Sequence, residues 1–317
     1  MKKVSLLIPA YNEEETLGLL YNELNKAIDD IPGYEFEILF VNDGSNDNTL
    51  NILRNLQKRD PRINYISFSR NFGKETAMAA GFDYVSGDAV VIMDADLQDP
   101  PRLIKEMILY WEEGYDDVYA KRRTREGETW FKKFTSSSFY RLLQTMTKIP
   151  IQEDTGDFRL LDRRAIESLK KFREKQRYTK GMFSWIGFNK KEILYDRKPR
   201  AAGKTKWNYL KLFNLALEGV TSFTTFPLRI STILGILVSI FSIVYMFVIL
   251  IKSMIWKDPV KGYPSMMVTI LFLGGVQLIS LGIIGEYIGR IFNETKYRPL
   301  YIIDEHNNEK IEDGGKL

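Results

Sequence analysis

The stretch Ala89-Val90-Val91-Ile92-Met93-Asp94-Ala95-Asp96-Leu97-Gln98-Asp99-Pro100-Pro101 decides how the rest of the chain is read. A charge-free apolar run gives way to carboxylates at i and i+2 and then to a turn closed by two prolines. An apolar run of that length suits a strand covered on both faces. Similar runs lie at residues 4–8, 36–41 and 63–68, separated by amphipathic stretches at 13–28, 49–56 and 75–84. This alternation predicts βαβ units, hence an α/β domain with a mostly parallel sheet and right-handed crossovers. Ligands of such sheets bind outside the C-terminal strand ends. Three polar strand ends converge there: Tyr11-Asn12-Glu13, Asn42-Asp43-Gly44-Ser45 and Asp94-Ala95-Asp96.

Composition narrows the chemistry. Among 317 residues there is no cysteine and a single histidine, His306, which excludes disulfides, thiol nucleophiles, Cys/His zinc sites and histidine triads. The 45 basic and 41 acidic residues leave a net charge of only +4, so nothing points to nucleic acid. No Gly-x-Gly-x-x-Gly follows the first strand, and Gly203-Lys204-Thr205 lacks the opening glycine of a P-loop. What remains is chemistry by carboxylates, Lys/Arg, hydroxyls and hard cations. Asp94 and Asp96 offer oxygen ligands to Mg²⁺ or Mn²⁺, which keep positions open for water and phosphate oxygens. The competing reading is an acidic strand-end turn with Asp99 as a helix cap, and the neighbouring polar strand ends favour the metal site. Gly156-Asp157 reads on its own as a turn carboxylate after a helix.

Hydropathy changes near the C-terminus. Residues 230–251 hold 22 positions without a charge, and residues 265–285 hold 21 more interrupted only by Gln277. At about 1.5 Å per residue each is long enough for a hydrocarbon core of about 30 Å. The expected organisation is a cytoplasmic catalytic domain (1–206), a juxtamembrane amphipathic segment (207–229), a first span (230–251), a short external loop (252–264), a second span (265–286) and a cytoplasmic tail (287–317) whose end from residue 307 reads as frayed. That places the protein in the inner or plasma membrane with two spans. Gly274, Gly275, Gly282, Gly285 and Gly289 give the second span a small-residue face, which suggests a homo-oligomer or packing against its partner helix. Ordinary glycine enrichment in membrane helices explains it equally.

Two clusters concentrate the basic residues. Lys121, Arg122, Arg123, Arg125, Lys132 and Lys133 form one, and Arg197, Lys198, Arg200, Lys204, Lys206 and Lys211 the other. Arg122, Arg200 and Lys204 are the candidates for gripping a phosphate, with solvated surface or headgroup attraction as the alternative. Residues 130–149 and 207–226 mix aromatic, aliphatic and basic positions and read as interface helices, or else as helices packed on the sheet.

Pro9-Ala10-Tyr11-Asn12-Glu13, Asn42-Asp43-Gly44-Ser45, Arg70-Asn71-Phe72-Gly73-Lys74, residues 94–101, Thr155-Gly156-Asp157-Phe158-Arg159 and the paired spans together resemble family 2 glycosyltransferases of the GT-A (Rossmann-like) fold. More narrowly they resemble polyprenyl-phosphate (bactoprenol) glucosyltransferases, relatives of dolichyl-phosphate mannose synthases. The likeness runs from the first strand to about Pro299. The Gln-x-x-Arg-Trp signature of processive polysaccharide synthases is absent. The resemblance implies that Pro9, Tyr11, Glu13, Asp43, Lys74 and Asp94 bind the nucleotide sugar, that Asp94, Asp96 and Gln98 hold Mg²⁺ or Mn²⁺ with the donor diphosphate, and that Asp157 joins Asp96 as a catalytic residue, at the position of the family's base. The implied reaction is inverting transfer of a hexose, glucose from UDP-glucose first, to undecaprenyl phosphate, yielding a lipid-linked sugar for cell-surface glycans. GDP-mannose, UDP-N-acetylglucosamine or an aminoarabinose donor, and a non-catalytic sugar-nucleotide scaffold in the membrane, are the alternatives. An acceptor phosphate with a second pKa of about 6 needs little deprotonation, so Asp157 is expected to orient it more than to take a proton.

Overall fold

The computed structural model describes residues 1–123, 155–196, 226–255 and 262–311. The interface segments expected at 130–149 and 207–226, the latter but for Phe226, together with Arg200 and Lys204, lie outside them. The chain separates into two units, Met1–Ala216 with Arg298–Leu317, and Leu217–Tyr297.

In the first unit, apolar runs become strands and amphipathic runs become helices. Strand β1 (Lys2–Ala10) is buried from Val4 onward, and β2 (Tyr34–Asn42) from Phe36. Between them α1 (Leu17–Asp29) buries Leu17, Leu20, Leu24 and Ile28, the spacing of one helical face. Helix α2 (Thr49–Arg59), β3 (Ile63–Phe68), α3 (Lys74–Tyr84) and β4 (Ala89–Ile92) follow. Strand β1 pairs in parallel with β2 and β4, and β2 with β3, so four carboxyl ends share one edge. Helix α3 lies so close to β1 that a Cβ at Gly81 would sit 2.1 Å from Leu7 Cδ1.

Beyond this core the sheet is mixed, which corrects the expectation of a mostly parallel one. After α4 (Leu103–Glu112) come β5 (Asp117–Arg122), β6 (Thr155–Asp162), α5 (Arg163–Lys170), α6 (Thr179–Trp185) and β7 (Lys190–Tyr195). Strand β6 runs antiparallel to both β4 and β5, whereas β5 and β7 are parallel. Strand β6, where the sequence suggests a turn at Gly156-Asp157, has Arg159 within its buried run. That guanidinium is 1% exposed, pairs with Asp117 at 3.0 Å, and lies 3.8 Å from the ring centroid of Phe183. Removing one partner of such a buried pair costs about 3–5 kcal/mol.

Asp157 is likewise on a strand, not in a turn. The β4–β6 register sets Ile92 opposite Arg159. Two residues further along each strand bring Asp94 and Asp157 level.

The sheet order is β7-β5-β6-β4-β1-β2-β3-β8-β9. Its last two strands are β8 (Ile303–His306) and β9 (Glu309–Lys310), and β9 lies in the segment from residue 307 that was expected to fray. Strand β8 pairs antiparallel with β3. Its Glu305, 2% exposed, accepts hydrogen bonds from the Arg54 guanidinium and the Tyr65 hydroxyl. The Asn307 side chain accepts the Tyr65 amide at 2.8 Å. A short polar-looking strand is thus held by long-range polar bonds rather than by an apolar stripe.

The second unit holds α7 (Phe226–Ile255, 30 residues) and α8 (Tyr263–Thr295, 33 residues), which cover both expected spans. Among the described side chains of both helices many large apolar ones are exposed, Leu237 at 58% and Leu278 at 71%. Among the described residues one segment, Phe272–Thr295, is apolar and long enough to cross a membrane, and none of it is buried. It reaches further toward the C-terminus than the expected second span.

Candidate active site

The loops leaving β1 and β2 are laced to each other. Ser45 Oγ accepts the Asn12 amide at 2.9 Å, and Asn12 Oδ1 accepts the Asn46 amide at 2.9 Å. Asn12 adopts φ +56°, a left-handed conformation that asparagine tolerates better than most residues. The Glu13 amide donates to Thr49 Oγ1 at 2.9 Å, and its carboxylate accepts the Thr16 hydroxyl at 2.7 Å. Tyr11, 41% exposed, projects from the same loop, two residues after Pro9, which pairs with Val41.

Asp43 is buried at the end of β2. Its carboxylate accepts the Phe72 amide at 2.6 Å and the Gly73 amide at 2.9 Å, anchoring the turn that precedes α3. Burial raises its pKa, and the two N–H bonds with nearby Arg70 pull the other way. Gly44 packs against the same turn. It has φ +63°, and a Cβ there would lie 2.3 Å from the Arg70 carbonyl carbon, so this position requires glycine.

The turn delivers Lys74, whose ammonium lies 2.5 Å from Asp94 Oδ1 and 2.5 Å from Asp157 Oδ2. One cation therefore joins the carboxylates that the β4–β6 register brings level. Although burial opposes its charge, Asp157 and Asp94 raise the Lys74 pKa above its ordinary value. Burial would lift Asp157, but Lys74, Lys180 and Arg159 outweigh it and hold that carboxyl at about 2. Asp157 Oδ1 is buried without a hydrogen-bond partner among the described residues.

Two neighbours of this centre, Glu75 and Lys180, carried no signal in the sequence. Glu75 accepts the Thr179 amide at 3.0 Å, and burial together with the charge of Asp157 pushes its pKa up to about 7. In sequence it is merely an acid in a first helical turn. The Lys180 ammonium is lowered by burial, an effect Asp157 partly opposes. The Tyr195 hydroxyl donates to buried Asp99 at 2.8 Å. Asp99 is therefore a partner for β7 rather than a helix cap, since α4 begins at Leu103 with Arg102 in the cap position.

Arg122 ends β5 directly opposite Tyr195, and its Nε is buried with no hydrogen-bond partner among the described residues. Of the three expected phosphate-gripping residues it is the one within the described chain.

Asp96 and Gln98 flank Leu97, whose φ of +60° turns the chain sharply at a cost of about 1 kcal/mol. The Gln98 amide donates to Asp96 Oδ1 at 3.1 Å. Among the described residues no three His, Cys, Asp or Glu side chains gather into a cation site. Asp94 and Asp96 still fit a hard divalent ion, because carboxylates bind Mg²⁺ or Mn²⁺ while phosphate and water fill the other positions. Asp94 is 27% exposed and so accessible to such a ligand.

Residues 5–170 match the domain described as glycosyl transferase family 2, and residues 226–291 match a GtrB C-terminal hairpin. A bactoprenol glucosyl transferase of Shigella phage SfV is 46% identical over 308 residues, covering 97% of this chain and 99% of that protein. An uncharacterized glycosyltransferase of Synechocystis sp. is 48% identical over 303 residues, covering 96% and 95%. A prophage bactoprenol glucosyl transferase homolog of Escherichia coli is 45% identical over 301 residues, covering 95% and 98%. The crystal structure of glucosyl-3-phosphoglycerate synthase from Mycobacterium tuberculosis, in complex with Mn²⁺, UDP and phosphoglyceric acid, superposes with a TM-score of 0.50 at 17% identity, covering 70% and 77%, a likeness of fold.

Proposed function

Because the chain belongs to glycosyl transferase family 2 and carries a GtrB-type hairpin, we propose that it transfers glucose from UDP-glucose to the phosphate of a membrane polyprenyl phosphate, undecaprenyl phosphate foremost. The observation that carries this reading is the end-to-end match, at 46% identity, to a bactoprenol glucosyl transferase.

In the proposed site, Pro9, Tyr11, Glu13 and Asp43 form the wall for base and ribose. Asp94, Asp96 and Gln98 would hold a divalent cation against the diphosphate; the synthase from Mycobacterium tuberculosis was crystallised with Mn²⁺ and UDP. Such a cation, when bound, draws off the negative charge that grows on the departing diphosphate. Lys74 adds a fixed positive charge at the same place. An acceptor phosphate oxygen attacks the anomeric carbon as the bond to the diphosphate oxygen breaks, with inversion and with no net proton movement. Asp157, held ionised, cannot serve as an effective proton acceptor near neutral pH. It orients the incoming groups through the basic residues around it and screens charge developing on the sugar. Arg122, whose buried Nε lacks a hydrogen-bond partner among the described residues, is proposed to grip the acceptor phosphate, with Arg200 and Lys204 beside it.

The long helices support a membrane enzyme, since water-exposed apolar surface on that scale is unfavourable outside lipid. We assign two spans at 230–251 and 265–286, a short external loop at 252–264, a catalytic domain (1–206), juxtamembrane segment (207–229) and tail (287–317) on the cytoplasmic side, and a plasma or inner membrane location. A Cβ added at Gly274, Gly282 or Gly285 would meet nothing within 4 Å, which supports self-association through α8.

The test is to incubate the purified full-length protein with undecaprenyl phosphate and a panel of radiolabelled sugar nucleotides, with Mg²⁺, with Mn²⁺ and with EDTA. UDP-glucose should label the lipid fraction in either metal and not in EDTA. Label from GDP-mannose or UDP-N-acetylglucosamine alone would reassign the donor, and undiminished transfer in EDTA would remove the cation from Asp94 and Asp96.

A further inference from the structure

Tyr301, 4% exposed, precedes β8 and touches both stems of the turn that delivers Lys74. Its ring stacks on Phe68, the last residue of β3, with centroids 5.2 Å apart and planes at 13°. Its hydroxyl donates to Asp83 Oδ2 at 2.8 Å, near the end of α3. Arg173 fixes the same carboxylate with two bonds of 2.8 Å, so Asp83 is a rigid anchor. Phe68 in turn meets Phe72 edge-on at 5.6 Å, and the Arg70 guanidinium covers Phe72 at 4.0 Å. The backbone joins in, with the Ser69 amide donating to the Ile302 carbonyl at 3.0 Å. A strand supplied from the far end of the chain thus braces the exit of β3 and the body of α3. Between those two points lie the amides bound by Asp43 and the ammonium bound by Asp94 and Asp157.

We propose that Tyr301 is a positioning residue of the donor site: by clamping Phe68 and Asp83 it fixes the turn at residues 70–73, and with it the placement of Asp43 and Lys74 for a nucleoside diphosphate. This rests on the donor site being a nucleotide site. The chain is thereby built so that the nucleotide pocket is complete only when the segment after the hairpin has returned to the sheet. A brace of this kind acts through the loop and not through the ligand, so its loss weakens donor binding while leaving acceptor affinity alone.

The experiment uses the full-length protein in detergent with UDP and MnCl₂ as the probe. In the wild type, UDP should slow hydrogen exchange at residues 69–73 and at 302–306 together. Tyr301→Leu should weaken UDP binding about tenfold with the KM for the lipid acceptor unchanged, and Tyr301→Phe, which keeps the stacked ring, should weaken it less than about threefold. Unaltered UDP affinity in Tyr301→Leu, or silence of residues 302–306 when UDP saturates the wild type, overturns the proposal. The exchange result decides even where the leucine variant does not fold. Failure of the wild type to bind UDP at all overturns the donor reading and this proposal with it, an outcome distinct from binding without a response at 302–306.

Discussion

Lys74 and Asp157 form an ion pair of 2.5 Å across the edge of the sheet, and the same ammonium reaches Asp94 at 2.5 Å. The pair joins the start of α3 to the start of β6, which the antiparallel β4–β6 pairing rather than any local pattern brings to this edge. It holds one positive charge at the site proposed for the donor diphosphate and the attacking phosphate.

Lys74→Met should therefore lower kcat about 100-fold or more, the scale seen when one preorganised electrostatic group is lost from a transition state. It should also let the Asp157 pKa rise from about 2, because a principal opposing charge is gone. Lys74→Arg keeps the charge and should retain more activity. Steady-state rates of the three proteins check this, and equal kcat in Lys74→Met and wild type would contradict it.

Glu75 supplies a pH test. Its folded-state pKa of about 7 is raised by burial and by Asp157, above the value of about 4.3 for glutamate in an unfolded chain. Its contribution to stability is therefore complete below the unfolded value and is lost as pH rises through 7. Glu75→Gln mimics the protonated form. Its Tm should exceed that of the wild type at pH 8, and the gap should close at pH 5. Thermal unfolding at both pH values measures it, and a pH-independent difference would contradict it.

Gly44→Ala should destabilise the first unit by about 1–3 kcal/mol, the cost of a left-handed backbone at a residue with a side chain, with the clash against Arg70 added. Donor binding should fall with it, since the displaced turn carries the amides held by Asp43. Denaturant unfolding and UDP titration read the two effects separately. A variant with wild-type values in both would show that the turn tolerates displacement.

The elements that were legible in the sequence are those whose partners are local in pattern. The four parallel strands announce themselves as apolar runs, and Asn42-Asp43-Gly44-Ser45 as a polar strand end, whereas the need for glycine at residue 44 shows only in its close approach to Arg70. Strand β6 was hidden by Arg159, since a buried charge looks exposed until Asp117 is known to face it. Strand β8 was hidden because Ile303-Asp304-Glu305-His306 is mostly polar, and the Arg54 and Tyr65 groups that hold Glu305 lie some 240 residues away. A separation of 104 residues between Glu75 and the Thr179 amide that it accepts likewise concealed Glu75 and Lys180, which become neighbours of Asp157 only in the fold.

Asp96→Ala should abolish transfer while leaving the fold intact, because its side chain lies at the open end of β4 rather than in the core. An unchanged Tm with kcat lowered about 100-fold or more is the expected pairing. Loss of stability equal to that of a core substitution would recast Asp96 as a structural residue.

The most direct measurement is mass spectrometry of the lipid product made from UDP-glucose and undecaprenyl phosphate by the wild type and by Asp157→Asn across pH 6–9. The expected result is a glucosyl phosphoryl lipid from the wild type and a deep, pH-independent loss in the variant, because an ionised carboxylate and not a proton acceptor has been removed. Free glucose as the wild-type product, or a variant that regains full activity at high pH, would contradict the account.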